Sequence, residues 1–298
     1  MKQIILFLSF VLALFLGSCE KKTVVSDSNE EQKTDSATMA VAVMPTIDCL
    51  PLYVADERGF FSKEGISIKL VEFKSQMDCD TALLRGHVGA LMTDLVRAGY
   101  MENKDSVKLK FISSTNASWK LVCDTAKLTS LKGLDDKLIA MTRFSATSLL
   151  SDTIVAMAKL NPEKVFRVQI NDVSVRLGMF FTHTMDAMLL PEPQAMAAVN
   201  EGAMVLYNSE DADIWLGVFA VDEKRAKSFD VEAFKRAYDE ACDSLNTYGV
   251  KGYSDILKRR FMVTEAVIDS LPSVTFRHTA LPREKDMSIA SGWLNNAK

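Results

Sequence analysis

A chain of 298 residues with 48% hydrophobic and 25% charged residues has enough apolar material for one large core or two smaller ones, which excludes a disordered polypeptide. Its formal net charge of -4 and the lack of any Lys/Arg-rich stretch leave no drive toward nucleic acid, so no nucleic-acid partner is expected.

In chain order, Lys2 precedes an apolar run over 4–16. A permanent membrane helix needs about 20 apolar residues, so the run reads as a signal peptide. Leu16-Gly17-Ser18-Cys19 follows it and resembles a bacterial lipobox, with small residues before a thiol that accepts diacylglycerol. Residues 1–19 are thus expected to be a lipoprotein signal peptide and Cys19 the lipidation site. A plain secretory peptide with an incidental cysteine is the alternative. Each buried acyl methylene contributes about 0.8 kcal/mol, so two or three chains give durable anchoring. The expected location is the bacterial cell envelope, with membrane contact through the N-terminal lipid and a soluble body outside the cytoplasm. Residues 20–38 are polar, without apolar periodicity, and read as a flexible tether.

The character changes at 39–44, a short apolar run closed by Pro45 that predicts a buried strand. Helical spacing follows over 50–58 and breaks at Gly59, and 66–73 alternates like a strand with Ile68, Leu70 and Phe73 inside. Next come a helix over 81–86, a strand over 88–92, a helix over 94–101 and a strand over 108–113. The same grammar repeats with strands at 138–141, 165–168 and 187–190, and helices at 148–159, 175–182 and 194–201. A strand over 215–221 precedes amphipathic helices at 231–245, 254–270 and 283–295. Alternating strands and helices predict parallel sheets with helices on both faces. The two runs predict two lobes: 39–130 as the first part of lobe 1, 131–214 as lobe 2, and 215–298 returning to lobe 1.

Pro45-Thr46-Ile47-Asp48-Cys49-Leu50-Pro51-Leu52-Tyr53-Val54-Ala55, followed by Gly59-Phe60-Phe61-Ser62-Lys63-Glu64-Gly65-Ile66, resembles the opening of the ABC-importer solute-binding proteins for sulfonates, nitrate and thiamine-type pyrimidines. Residues 81–94, 186–193, 271–276 and Gly292-Trp293-Leu294 agree with that family in kind and order, so the resemblance covers about 39–298. It implies an α/β, two-lobed type II periplasmic-binding-protein fold, each lobe a mostly parallel sheet flanked by helices. It also implies a small polar ligand between the lobes and an ABC transporter permease as partner. Lobe closure captures the ligand when contacts from both lobes favour the shut state.

Loops after strands supply the candidate contacts. In the first lobe these are Asp48, Cys49 and Tyr53; Ser75 and Asp78; Thr93 and Asp94; and Asn116 with Trp119, whose ring could wall a planar pocket. In the second lobe Arg143, Ser145 and Thr147 stand where a helix start could favour an anion, and Asn171, Asp172 and Glu192 follow the next two strands. Helix capping or turn formation competes with ligand contact at Asp48, Ser75, Asp78, Asp94 and Asp172. The acids Asp48, Asp94 and Glu192 would repel a simple anion and fit an amine or aminopyrimidine better.

Cys49, Cys79, Cys123 and Cys242 permit a disulfide, with Cys49 and Cys79 the most plausible pair, although buried free thiols are the default. His87, His183 and His278 are scattered and no zinc spacing appears, so no metal is expected. Phosphate-loop, nucleophile-elbow and His-Glu-x-x-His signatures are lacking, and neither a cofactor nor catalysis is expected. Two alternatives stay open: a lipid-anchored enzyme of thiamine-pyrimidine type metabolism, and a non-transport regulatory lipoprotein.

Overall fold

The computed structural model describes residues 38–297. Cys19, the lipobox and nearly all of the expected tether lie outside the described residues. Ten strands form two five-stranded sheets. In the first, β1 (Met39–Val43) lies between the parallel strands β2 (Ile68–Glu72) and β3 (Ala90–Asp94). Here β10 (Gly217–Asp222) is inserted antiparallel between β3 and β4 (Leu109–Ser114). The second sheet repeats the arrangement, with β6 (Lys137–Met141) between the parallel β7 (Val165–Gln169) and β8 (Ala187–Leu190). There β5 (Lys120–Cys123) is inserted antiparallel between β8 and β9 (Met204–Asn208). Each lobe is therefore a mostly parallel sheet, and its single antiparallel strand is the one that arrives directly from the other lobe.

Helices connect the parallel strands. In the first half these are α1 (Leu50–Glu57), α2 (Phe60–Lys63), α3 (Gln76–Leu84) and α4 (Leu95–Lys104). In the second half they are α5 (Ala146–Met157), α6 (Val173–Phe181) and α7 (Gln194–Asn200). The C-terminal third adds α8 (Glu223–Ala226), α9 (Val231–Tyr248), α10 (Ser254–Ile256), α11 (Glu265–Ser270) and α12 (Glu284–Asn296).

The longest helix, α9, shows how sequence produces packing. Asp230 accepts the Ala233 N–H at 3.0 Å and caps its start, and Gly249 at φ 70° ends it. Ala233, Phe234, Ala237, Tyr238, Ala241, Cys242 and Leu245 recur every three or four residues and are all buried. Phe234 stacks on Phe219 of β10 with centroids 4.4 Å apart, which docks α9 on the first sheet. The opposite face of that sheet, through Ala42, Leu91 and Ala220, belongs to a cluster that includes Val122, Ala140 and Met188 of the second sheet. Apolar packing is thus continuous from one lobe to the other.

Several expectations need correction. The strands β5 and β9 were not anticipated: each is short, neither alternates cleanly, and β9 exposes Met204 and Val205 at an edge. Because β5 belongs to the second sheet, the chain crosses between lobes over 115–119, ahead of the boundary expected at 130. It returns to the first sheet over 209–216, between β9 and β10. Helix α3 begins at Gln76 and not at 81, since Ser75 caps it. The helix expected over 254–270 is broken: a π-helical turn at Leu257–Phe261 ends at Met262, which takes a left-handed φ of 56°, and Thr264 caps a new start. Phe73 lies on the opposite sheet face from Ile68 and Leu70, because it stands an odd number of residues from each, and it is still packed since both faces are covered.

Candidate functional site

In both sheets the parallel strands run toward the same crevice, and their carboxyl ends deliver the loops that line it. A partly open cavity of about 60 Å³ is bounded by Met44, Met92, Thr93 and Asp94 from the ends of β1 and β3. From the second lobe Thr142, Asn171 and Pro191 close it, following β6, β7 and β8. A larger cavity of about 220 Å³ abuts it and shares Asp48, Ala117 and Pro191.

Of the residues singled out in the sequence, Asp48, Cys49, Thr93, Asp94, Trp119, Ser145, Thr147 and Asn171 line the first cavity. Asn116 and Glu192 line the second, together with Asp48. Tyr53, Ser75, Asp78, Arg143 and Asp172 line neither.

Those five have other occupations. Tyr53 is fully buried in the core of the first lobe, with its ring edge against Phe261 at 5.3 Å. It falls on α1, whose apolar face turns to the sheet and away from the crevice. Ser75 and Asp78 satisfy one another at the start of α3: the hydroxyl donates to Asp78 Oδ2 at 2.8 Å and accepts the Asp78 N–H at 3.2 Å. Asp172 caps α6 by accepting the N–H groups of Ser174 at 2.8 Å and Val175 at 3.1 Å. Arg143 is exposed.

The cavity residues differ in how committed they are. Ser145 and Thr147, read as anion donors, instead close on themselves. The Ser145 hydroxyl donates to the Thr142 carbonyl at 2.7 Å and accepts the Thr147 N–H at 3.1 Å, while Thr147 Oγ1 accepts the Thr142 N–H at 2.9 Å. Asn116 ties the first crossover to the C-terminal segment, donating to the Thr275 carbonyl at 2.9 Å and accepting the Arg277 N–H at 3.1 Å. Glu192 pairs with Lys120 and accepts the Met196 N–H at 2.9 Å, so both its oxygens are engaged. Trp119 and Ser209 bond across the two crossovers, and the half-buried indole faces the cavity.

Less committed are Asp48 and Thr93. Asp48 forms no ion pair among the described residues, and burial raises its carboxyl above the ordinary range despite the Thr46 hydroxyl. Thr93 Oγ1 is buried beside the cavity without a partner among the described residues. An unpaired buried hydroxyl costs roughly 1–3 kcal/mol, a cost that a guest supplying a hydrogen bond would remove. Cys49 is the reverse of an activated nucleophile, since burial and the neighbouring Asp48 push its thiol well up. All four described cysteines are free and buried, so the Cys49–Cys79 bridge is not formed.

Asp94 ends β3 and caps α4, accepting the N–H groups of Val96 and Arg97 at 2.9 Å each. Burial raises its carboxyl to about 6, against the pull of these bonds. Beside it Arg97 forms a buried ion pair with Asp80 at 2.5 Å and reaches the carbonyls of Arg143 and Phe144 at 3.4 Å across the crevice.

The residue that sequence reasoning missed is Arg176. It stands on α6 with 3% exposure and lines the first cavity. Its guanidinium donates to the carbonyls of Ile170 and Leu189 at 2.7 and 2.6 Å and to Thr142 Oγ1 at 2.8 Å, so one side chain ties the loops after β6 and β7 to strand β8. No carboxylate pairs with it among the described residues, and burial lowers its pKa to about 10. The usable signal was the lone cation in an otherwise apolar α6, which reads as a solvated charge by default.

Two sheets of the same strand order, crossed twice by the chain and meeting at a cavity, define the periplasmic-binding-protein class of fold. The NMT1/THI5-like family profile matches residues 46–248, and the chain belongs to that family. Among solved structures, the alkanesulfonate-binding protein SsuA from Xanthomonas axonopodis pv. citri bound to MOPS is 16% identical, with a TM-score of 0.73 over 88% of this chain and 92% of that one. The periplasmic nitrate-binding protein NrtA from Synechocystis PCC 6803 is 15% identical, with a TM-score of 0.69 over 78% and 69%. A Candida albicans protein described as having the generic periplasmic binding protein fold is 14% identical, with a TM-score of 0.65 over 87% and 90%. A sequence comparison with curated proteins finds no match.

Proposed function

We propose that this chain is a lipid-anchored extracytoplasmic solute-binding protein that captures a small polar molecule by lobe closure and delivers it to an ABC permease. One observation carries the reading: the first cavity is walled by the carboxyl-end loops of both sheets, so a guest there touches both lobes and favours the shut arrangement. The similarity to sulfonate- and nitrate-binding proteins supports a solute of small polar class. Anchoring through Cys19 rests on the lipobox resemblance alone.

Within the sulfonate, nitrate and aminopyrimidine-like classes, the lining favours a solute bearing an amine or aminopyrimidine. Asp48 and Asp94 place two carboxyl groups on the first cavity, against one guanidinium from Arg176. A half-buried Asp48 without an ion pair gains most from a cationic or strongly donating guest, and Trp119 offers a flat wall. The test is to purify the protein gently, denature it and identify the released small molecule by mass spectrometry, then titrate that compound back in a thermal-shift assay. A saturable rise in melting temperature without turnover is expected. Consumption of the compound over time, or no shift with any amine, pyrimidine or sulfonate, would refute the reading.

A further inference from the structure

The start of α5 faces the crevice, and the amides of its first turn would suit an anion. All of them are already taken. Thr147 N–H donates to Ser145 Oγ at 3.1 Å, and those of Ser148 and Leu149 donate to the Ser145 carbonyl at 3.0 and 3.1 Å. The remaining one, Ala146 N–H, donates at 3.0 Å to Asp94 Oδ1 from the opposite lobe. The same oxygen accepts Val96 and Arg97, so one carboxylate holds the starts of two helices that belong to different sheets. A residue serving only as the cap of α4 would have no need of the third bond.

Apart from Asp48 and Asp94, the cavity also carries groups that suit an anion. Arg176, buried near Asp172 but in no ion pair among the described residues, its donors held by backbone carbonyls and Thr142, borders the same cavity, as does the buried hydroxyl of Thr93, which has no partner among the described residues. The positive charge, the helix start and a spare hydroxyl are assembled, and the anion present is supplied by the protein.

We propose that Asp94 is a tethered anion that occupies the α5 amide across the crevice, excludes anionic solutes from the first cavity and holds the lobes together. Asp94 is then a specificity-determining residue, and its carboxylate turns a scaffold suited to anions toward neutral or cationic guests. The inference rests on the solute-capture reading and refines it.

The test uses the full chain with sodium methanesulfonate and sodium sulfate as probes, read by calorimetry, and small-angle X-ray scattering without ligand. Asp94→Ser keeps a hydroxyl cap for α4, and Asp94→Asn keeps an acceptor without the charge. Ala146→Pro removes the amide from the other side. Proline is tolerated at the first helical position, and the extended Ser145 (φ -137°, ψ 175°) suits a residue before proline. Both Asp94 variants are expected to bind methanesulfonate roughly tenfold or more tightly than the parent protein. Asp94→Ser and Ala146→Pro should both scatter as more open, and only the former should gain the anion. The inference is overturned if neither Asp94 variant binds either anion more tightly than the parent, or if both open-state variants scatter as the parent does. Release of a native solute from the parent protein is scored separately, so solute capture can stand while the role of Asp94 falls.

Discussion

Replacing Asp94 with asparagine should change how stability depends on acid, and the size of the change follows from its surroundings. A free aspartate titrates near 3.9, whereas burial at the lobe junction raises Asp94 to about 6, with the N–H groups of Arg97 and Ala146 pulling it down and Asp80 pushing it up. A carboxyl whose pKa is raised by folding contributes stability that is fully present below the unfolded value and is lost as pH rises through the folded one. Between about pH 7 and about pH 4 the native protein therefore takes up a proton that the unfolded chain only half binds, which is worth about 2 kcal/mol. Urea unfolding followed by circular dichroism, at both pH values and for both proteins, isolates this contribution because every other titrating group is common to the two. On acidification the parent protein should gain about 2 kcal/mol relative to Asp94→Asn. Parallel shifts would mean that the amide bonds to Asp94 balance its desolvation, and a relative loss for the parent that they outweigh it; in either case the reasoning would fail.

Glu192→Ala should cost on the order of 3 kcal/mol, because it strands the Lys120 ammonium, whose side chain is only 13% exposed, and leaves Met196 N–H without its acceptor. Lys120→Met with Glu192→Leu should cost clearly less than the single change, as measured by urea midpoints; equal costs would show that the pair is not the cause. Gly217→Ala should cost about 1–3 kcal/mol, since an added Cβ would collide with Thr115 Oγ1 and the Ala117 Cβ where β10 leaves the second crossover. An unchanged melting temperature would show that the crossovers yield freely.

How far the site could be read from the sequence depends on what each residue type signals. Loops after strands are identifiable, and Asp48, Thr93, Asp94, Trp119 and Asn171, read from such loops, line the first cavity. Ser75 and Asp172 carry the same signal but their side chains serve only their own helix starts, and a lone sequence does not say whether a cap also reaches outward. Asp94 does both, because β3 ends where α5 begins in the other lobe, a juxtaposition that no local pattern encodes. Arg176 was hidden by its helix: an arginine between Val175 and Leu177 looks solvated until the sheet beneath α6 brings the carbonyls of Ile170, Asn171 and Leu189 around it. The missing strands β5 and β9 have the same origin, since an inserted antiparallel strand is specified by its neighbours more than by its own four or five residues.

The bonds that join the lobes surround the first cavity. Ile47 N–H donates to the Glu192 carbonyl at 2.9 Å, Gln194 Nε2 to the Pro45 carbonyl at 2.9 Å, Val173 N–H to the Lys74 carbonyl at 3.3 Å, and Ala146 N–H to Asp94. These contacts favour the shut arrangement before any guest enters, so a solute need supply only part of the free energy of closure. A ligand shifts an equilibrium by no more than its preference for one state over the other. An anion would have to displace Asp94 from Ala146 and thereby break one of the bonds that closure makes, whereas a donor engaging Asp48 and Thr93 would add contacts and break none. The same geometry that holds the lobes together therefore selects the guest.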